Sequence, residues 1–250
     1  MVRIGSQPTL AREADLLRRL GHAVLALGGD AGYFMARAQD RVKDVHHVLM
    51  ACDPRWGSEY EFLDCYLTDP WFRYAAANSA PARAGDIPCR SSRERAVVDL
   101  AERFGFQEAI VFPAPSPLGR ARVALLVVGS RDPAFQERMK STEYVAEARN
   151  VSMALHEDWT NKLRSDLAES SELSSLDIRI LELELQGSRT KAIAKTLGTT
   201  CMAIDSRFQR LKNKLHVTGR RSAAIRALEF GLIAAPEQEP MQHSRGRTRR

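Results

Sequence analysis

The feature that most constrains this chain is the punctuation between residues 173 and 233, where four short apolar-periodic stretches each run into a turn. Ser174 and Asp177 form an N-terminal capping pair, and Ile178, Leu181 and Leu185 give one apolar face up to Gly187. A second helix begins near Thr190, buries Ile193, Ala194 and Leu197, and ends at Gly198. Thr200 is placed to cap a third helix running to about Leu215, and a fourth spans Ser222–Phe230 and stops at Gly231. Helix, tight glycine-containing turn, helix is the helix-turn-helix arrangement, whose second member enters the major groove of DNA. The region 173–235 therefore reads as an all-α, four-helix domain.

The third helix repays a helical wheel. At 100° per residue, Ile204, Phe208, Leu211 and Leu215 fall within about 60° of one another. The opposite face carries Met202, Ser206, Gln209, Arg210 and Asn213, with Asp205 at its edge and Arg207, Lys212 and Lys214 on the flanks. Hydrogen-bonding side chains bordered by cations suit the reading of bases between two phosphate rails. A surface helix that is merely soluble has the same composition. Charge is distributed unevenly: residues 1–170 hold 22 basic and 23 acidic side chains, residues 171–250 hold 15 and 8. Only the rear of the chain has the balance expected of a partner for a polyanion, although a charge run is more often a solvated face. The tail 236–250 (PEQEPMQHSRGRTRR) lacks periodicity and reads as disordered, its arginines adding at most sequence-blind phosphate affinity.

The front of the chain alternates in character. Residues 9–27 show helical spacing (Leu10, Ala14, Leu17, Leu20, Val24) stopped by Gly28-Gly29, and Val45–Ala51 is short and apolar, as a strand would be. Arg93–Phe104 is a second amphipathic helix closed by Gly105. Ala109–Ala114 and Ala121–Gly129 are apolar runs joined by a Pro/Gly turn, Pro115 to Gly119, which predicts a hairpin of buried strands. A long helical pattern follows from about Phe135 to Leu155, and the polar, acidic stretch 161–172 reads as a linker. Helices at both ends with strands between predict an α/β domain over 1–160, an α-β-α sandwich in which a sheet is covered on its faces.

Several classes of function are disfavoured. No run of 18 apolar residues exists, and the N-terminus lacks an apolar segment with a cleavage site, so neither a membrane span nor a secretory signal is expected. Cys52, Cys65, Cys89 and Cys201 show no CxxC or CxxH spacing and read as reduced thiols of a cytoplasmic protein. His46-His47, adjacent on a predicted strand, point to opposite faces and cannot chelate one metal. Gly28-Gly29 forms no phosphate loop, and no Ser/His/Asp or Cys/His set is identifiable. Neither an enzyme nor a metal or cofactor site is expected.

Without a gap, LSSLDIRILELELQGSRTKAIAKTLGTTCMAIDSRFQRLKNKLHV resembles the helix-turn-helix of the LuxR family of bacterial regulators. Matching positions include Leu173, Leu181, Gly187, Lys191, Ile193, Ala194, Leu197, Ile204, Lys214, Leu215, Val217 and Arg220, closing on Gly231–Ile233. Asp177 stands where that family usually has Glu, and Ala203 replaces a common Thr. Asp205 and Gln209 sit where some acyl-homoserine-lactone receptors present arginines to bases; Asp205 would suit a cytosine amino group and Gln209 an adenine. With Thr200, the groove-facing and flanking residues of the third helix form the DNA-binding set that the resemblance implies. A phosphoacceptor receiver domain, another partner of this module, would begin with a strand ending in paired acidic residues, and this chain begins with a helix.

Trp56-x3-Tyr60-x8-Asp69-Pro70 resembles the pocket signature of the acyl-homoserine-lactone receptors in that family, and Phe104–Phe106 and Gly129-Ser130 match in order. The resemblance implies that Trp56 donates to a lactone carbonyl, that Asp69 accepts from an amide N–H, and that the Tyr60 hydroxyl meets the acyl carbonyl. Read without it, Trp56 and Tyr60 are core aromatics and Asp69-Pro70 is a turn. Cys52 stands where many receptors have a second tyrosine, Ala84 where a pocket Trp is usual, and Val127 near a position that often supplies a hydroxyl. These departures predict a roomier, less polar cavity unless Trp71 or Phe72 fills it. The resemblance thus implies a homodimeric regulator that binds double-stranded DNA and senses an N-acyl-homoserine lactone or a similar apolar molecule. The rivals are an orphan regulator that needs no ligand and an enzyme acting on a lactone or an aromatic acid.

Overall fold

The computed structural model describes residues 7–38, 45–116 and 122–234. The chain divides into two units, Met1–Asn161 and Lys162–Arg250. In the first, helix α1 (Gln7–Ala26) is followed by strands β1 (Ala31–Ala38) and β2 (Val45–Ala51), then by α2 (Pro54–Phe62) and α3 (Pro70–Ala75). The short β3 (Ala82–Arg83), α4 (Ser92–Arg103), β4 (Glu108–Ala114) and β5 (Arg122–Ser130) complete a five-stranded sheet in the order β2-β1-β5-β4-β3. Every neighbouring pair is antiparallel. The centre is the β1–β5 pair, in register from Ala31↔Gly129 to Ala38↔Arg122.

β1, β4 and β5 are buried almost throughout, with no polar alternation. Such runs need cover on both faces, and the structure supplies it. On one face Tyr33, Met35, Val111, Leu125 and Val127 share a core with residues of α2, α3 and α4. On the other, α1 lies so near that a Cβ on Gly32 would collide with Val24. Helix α5 (Thr142–Ser171) is tied to the same sheet by the Ser152 hydroxyl, which donates to the Phe112 carbonyl at 2.9 Å, and by the edge contact of Phe112 with Tyr144.

The sequence readings of helix 9–27, strand Val45–Ala51, helix 93–104 and the β4–β5 pair agree with this architecture, although residues 117–119 of the expected turn and residue 121 of the second apolar run lie outside the described residues. Two readings need correction. The pattern from Phe135 breaks into a 3-10 turn, Phe135–Lys140, followed by α5. Helix α5 then continues to Ser171, through most of the stretch 161–172 that reads as a linker in the sequence. Polarity hid the reason: Trp159, Leu163 and Leu167, four residues apart, are buried and give this part of the helix an apolar stripe. β1 has no counterpart among the elements read from the sequence.

The second unit contains α6 (Ser175–Leu185), α7 (Thr190–Thr196), α8 (Cys201–Lys214) and α9 (Arg220–Glu229). A complete capping box starts α6, with the Ser174 hydroxyl accepting from the Asp177 amide and the Asp177 carboxylate accepting from the Ser174 amide. Gly187 and Gly198 end α6 and α7 at φ of 82° and 62°, a backbone region that favours glycine. Ile180, Leu181, Ile193, Ile204, Phe208, Leu211, Leu215 and Ala224 are among the residues that fill the core. The expected tail 236–250 lies outside the described residues.

Candidate functional site

Two helix starts build the aromatic site of the first unit. Asp53 caps α2, its carboxylate accepting from the Arg55 amide at 2.9 Å with Pro54 in the first turn. The helix so begun turns Trp56 and Tyr60, four residues apart, to the buried side. Asp69-Pro70 repeats the device for α3 and buries Trp71 and Phe72. Tyr33 comes up from β1 between them. Its ring centroid lies 5.0 Å from that of Trp56, 6.3 Å from Tyr60, 6.4 Å from Trp71 and 5.7 Å from Phe106. Trp56 and Tyr60 approach to 4.9 Å.

Asp69 is the polar centre, 3% exposed. One carboxylate oxygen accepts from the amides of Trp71 (2.8 Å) and Phe72 (3.2 Å). The other accepts from the hydroxyls of Tyr60 (2.8 Å) and Tyr33 (3.1 Å). Burial pushes its pKa up, while the four donors act in the opposite direction. Burial and the nearby carboxylate hold both tyrosines well above the usual phenol value. The thiols are raised likewise, Cys52 to about 12 and Cys65 to about 11, chiefly by burial. These are neutral thiols, not nucleophiles.

Within this cluster the indole Nε1 of Trp56 and that of Trp71 are buried and meet no acceptor among the described residues. Each side chain is no more than 2% exposed. A buried donor without a partner costs about 1–3 kcal/mol, so an acceptor brought to either indole would stabilise the cluster.

The structure brings Trp56, Tyr60, Trp71, Ala84 and Val127 into one core cluster, with Cys52 packed against it and Asp69 joined to it through the hydroxyls of Tyr33 and Tyr60. Trp71, one of the two rings expected to take up room left by Cys52, Ala84 and Val127, packs with Tyr33 and Phe106 in this cluster. Tyr33 escaped sequence reasoning because its strand did. The apolar run Ala31–Ala36 after the double glycine was the available signal. His46 packs on Tyr66 with ring centroids 4.5 Å apart, and no cluster of metal-ligating residues occurs among the described residues.

In the second unit α8 buries Ile204, Phe208 and Leu211 and exposes Met202, Asp205, Ser206, Gln209, Arg210 and Asn213, as the wheel indicates. The Thr200 hydroxyl caps the helix, accepting from the Ala203 amide at 3.2 Å. Lys212 is half-buried. Two cations expected on the flanks of this helix, Arg207 and Lys214, and Asp205 at its edge have partners inside the unit. Arg207 donates to Asp177 at 3.1 Å, and Lys214 donates to the Glu172 carbonyl at 2.5 Å. Arg220 donates to Asp205 at 2.7 Å and to Thr190 at 2.8 Å while lying over the Phe208 ring.

An aromatic site with few polar anchors, buried beneath a helix-covered sheet, is the build of a small-molecule receptor. The chain belongs to the LuxR-type autoinducer-binding family: the model of the autoinducer binding domain matches residues 12–158. Among solved structures it is similar to Escherichia coli SdiA, at a TM-score of 0.62 and 14% identity over 93% of this chain and 94% of that one. It is also similar to SdiA in complex with octanoyl-rac-glycerol, at 0.59 and 14% identity over 91% and 97%. At such identity the likeness is one of fold. No curated protein matches the chain by sequence. No helix of the described residues is long and apolar enough to cross a membrane.

Proposed function

We propose that the chain is a ligand-responsive transcription regulator of the quorum-sensing type and not an enzyme. In this reading it acts in the cytoplasm as a homodimer, holding a small apolar molecule under β1 and binding double-stranded DNA through α7 and α8 as a helix-turn-helix. The observation that carries the sensing half is the pair of buried, acceptor-less indole N–H groups beside Asp69 in a family of autoinducer receptors. Trp56, Tyr60, Asp69 and Trp71 are its polar anchors and nearest rings; Cys52, Ala84 and Val127 line it. SdiA has been solved with octanoyl-rac-glycerol, and an acylated molecule of that size, an N-acyl-homoserine lactone included, is the class proposed here.

The DNA-binding half is supported by the exposed face of α8. Gln209, Arg210, Asn213 and Ser206 are the candidates for base edges, with Thr200, Met202 and Lys212 beside them. Arg207 and Lys214 support the helix from within, and Asp205 is held by Arg220. Selection of the full-length protein on a randomised duplex pool tests this half. Gln209→Ala should relax preference at one base position, and affinity should fall steeply with salt. Absence of binding to any duplex at low salt would refute it.

The ring contacts favour a second reading of the sensing half, a regulator that folds without ligand. Soluble, cooperatively unfolding protein obtained without added ligand would support it.

A further inference from the structure

The face of β1 that carries Tyr33 and Met35 into the aromatic cluster ends on a cation. Side chains two residues apart in a strand share a face, so Arg37 follows Met35 there, at the one position of β1 that is not buried. Arg37 pairs with Val123 of β5, and side chains directly opposite in an antiparallel pair stand beside each other. Both line a groove of about 520 Å³, a volume in the range of about 300–1,000 Å³ usual for small-molecule sites. Phe72 and Ile87, both buried, complete its apolar floor, and Arg90 stands exposed at its rim. Among the described residues that line the groove are three guanidinium groups and no carboxylate. Glu94 lies close by but is already engaged: it accepts from Arg73 Nε at 2.8 Å, from Arg73 Nη2 at 3.1 Å and from the Arg90 amide at 2.6 Å. Arg73 and Glu94 thus balance each other, and the cations that a ligand would meet are Arg37 and Arg90.

We propose that this groove is a second small-molecule site, selective for an amphiphilic carboxylic acid whose chain lies on Phe72, Ile87 and Val123 and whose carboxylate is met by Arg37 and Arg90. The assignment is independent of what the aromatic cluster holds. Arg37 and Val123 lie four residues along their strands from Tyr33 and Val127, about 13 Å at 3.3 Å per residue. An acyl chain laid on the floor removes apolar surface from water. The planar fork of a guanidinium fits a carboxylate with two N–H donors. It carries five such donors in all, so Arg37 can hold a ligand beside its other contacts. A neutral molecule of the same shape gains only the apolar part. Arg37, half-buried at the floor, contributes more to the choice than Arg90, whose charge water screens at the rim.

The test titrates decanoate and 1-decanol, equal in chain length and different in charge, into the full-length protein at pH 7.5 and low salt, with binding read by calorimetry. Decanoate should bind roughly tenfold more tightly than the alcohol, the worth of one charge-assisted hydrogen bond. Arg37→Gln should remove that advantage and leave the affinity for 1-decanol within about twofold. Arg90→Gln, at an exposed position, should weaken decanoate by about threefold and serves if Arg37→Gln folds poorly. Trp56→Phe should leave decanoate binding unchanged, because the aromatic cluster is a different place. Failure of decanoate to bind, equal affinity for acid and alcohol, or full affinity in both arginine variants would overturn the proposal. Loss of decanoate binding in Trp56→Phe with none in Arg37→Gln would place the acid in the aromatic cluster and overturn it likewise.

Discussion

Replacing Asp69 with alanine should destabilise the ligand-free protein severely, because four donors lose their acceptor at once. Loss of the N-cap of α3 costs about 1 kcal/mol. The hydroxyls of Tyr33 and Tyr60 are buried and would be left unpaired, each at about 1–3 kcal/mol. Against this stands relief from burying a carboxylate, which its raised pKa signals. The net loss should be about 3–5 kcal/mol. Urea denaturation followed by tryptophan fluorescence measures it directly. A double-mutant cycle sharpens the test: Tyr33→Phe should cost about 1 kcal/mol in the parent and almost nothing once Asp69 is gone. A loss below 1 kcal/mol for Asp69→Ala, or an undiminished cost of Tyr33→Phe in its background, would refute the four-donor account.

Three further outcomes can be checked. Burial, helped by Arg122, lowers the His156 pKa to about 4, so between pH 6.5 and 4 the unfolded chain binds a proton that the folded one does not. Stability should fall by about 3 kcal/mol as pH drops through that window, and His156→Gln should flatten that part of the denaturation profile. A steady or rising stability there would contradict this. Ala84 is buried in the aromatic cluster, so Ala84→Trp should cost the ligand-free protein about 1–3 kcal/mol; a raised melting temperature would show unfilled space beside Ala84. Asp205 and Arg220 form a part-exposed pair, so Asp205→Ala should change stability by less than about 0.5 kcal/mol. The same substitution should tighten binding to duplexes of every sequence, as measured by anisotropy. Selective loss of binding to one base would assign Asp205 to readout instead.

Sequence and structure agreed where the instructions are local. The ends of α6, α7 and α8 were readable because Ser174, Thr200, Gly187 and Gly198 act within one turn of themselves. The inward face of α2 was readable for the same reason, since Trp56 and Tyr60 are one helical turn apart. β1 escaped because a strand buried on both faces has no alternation to detect, and a double glycine had just closed the preceding helix. With it went Tyr33, whose bond to Asp69 spans 36 residues of sequence. The engagement of Arg207 by Asp177, 30 residues away, was hidden likewise. Spacing on a wheel shows which side a charge is on but not whether the domain has already used it.

The register of the central strands also sets the order in which this unit is able to form. β1 pairs with β5 at sequence separations of 84 to 98 residues, from Ala38↔Arg122 to Ala31↔Gly129. At ribosomal rates of about 5–20 residues per second, β5 follows β1 out by roughly 4–20 seconds. For that interval one edge of the apolar β1–β2 ribbon waits without its partner, open to pairing with another nascent chain. Chaperone occupancy and synthesis rate should therefore govern the yield of native protein as strongly as its final stability does.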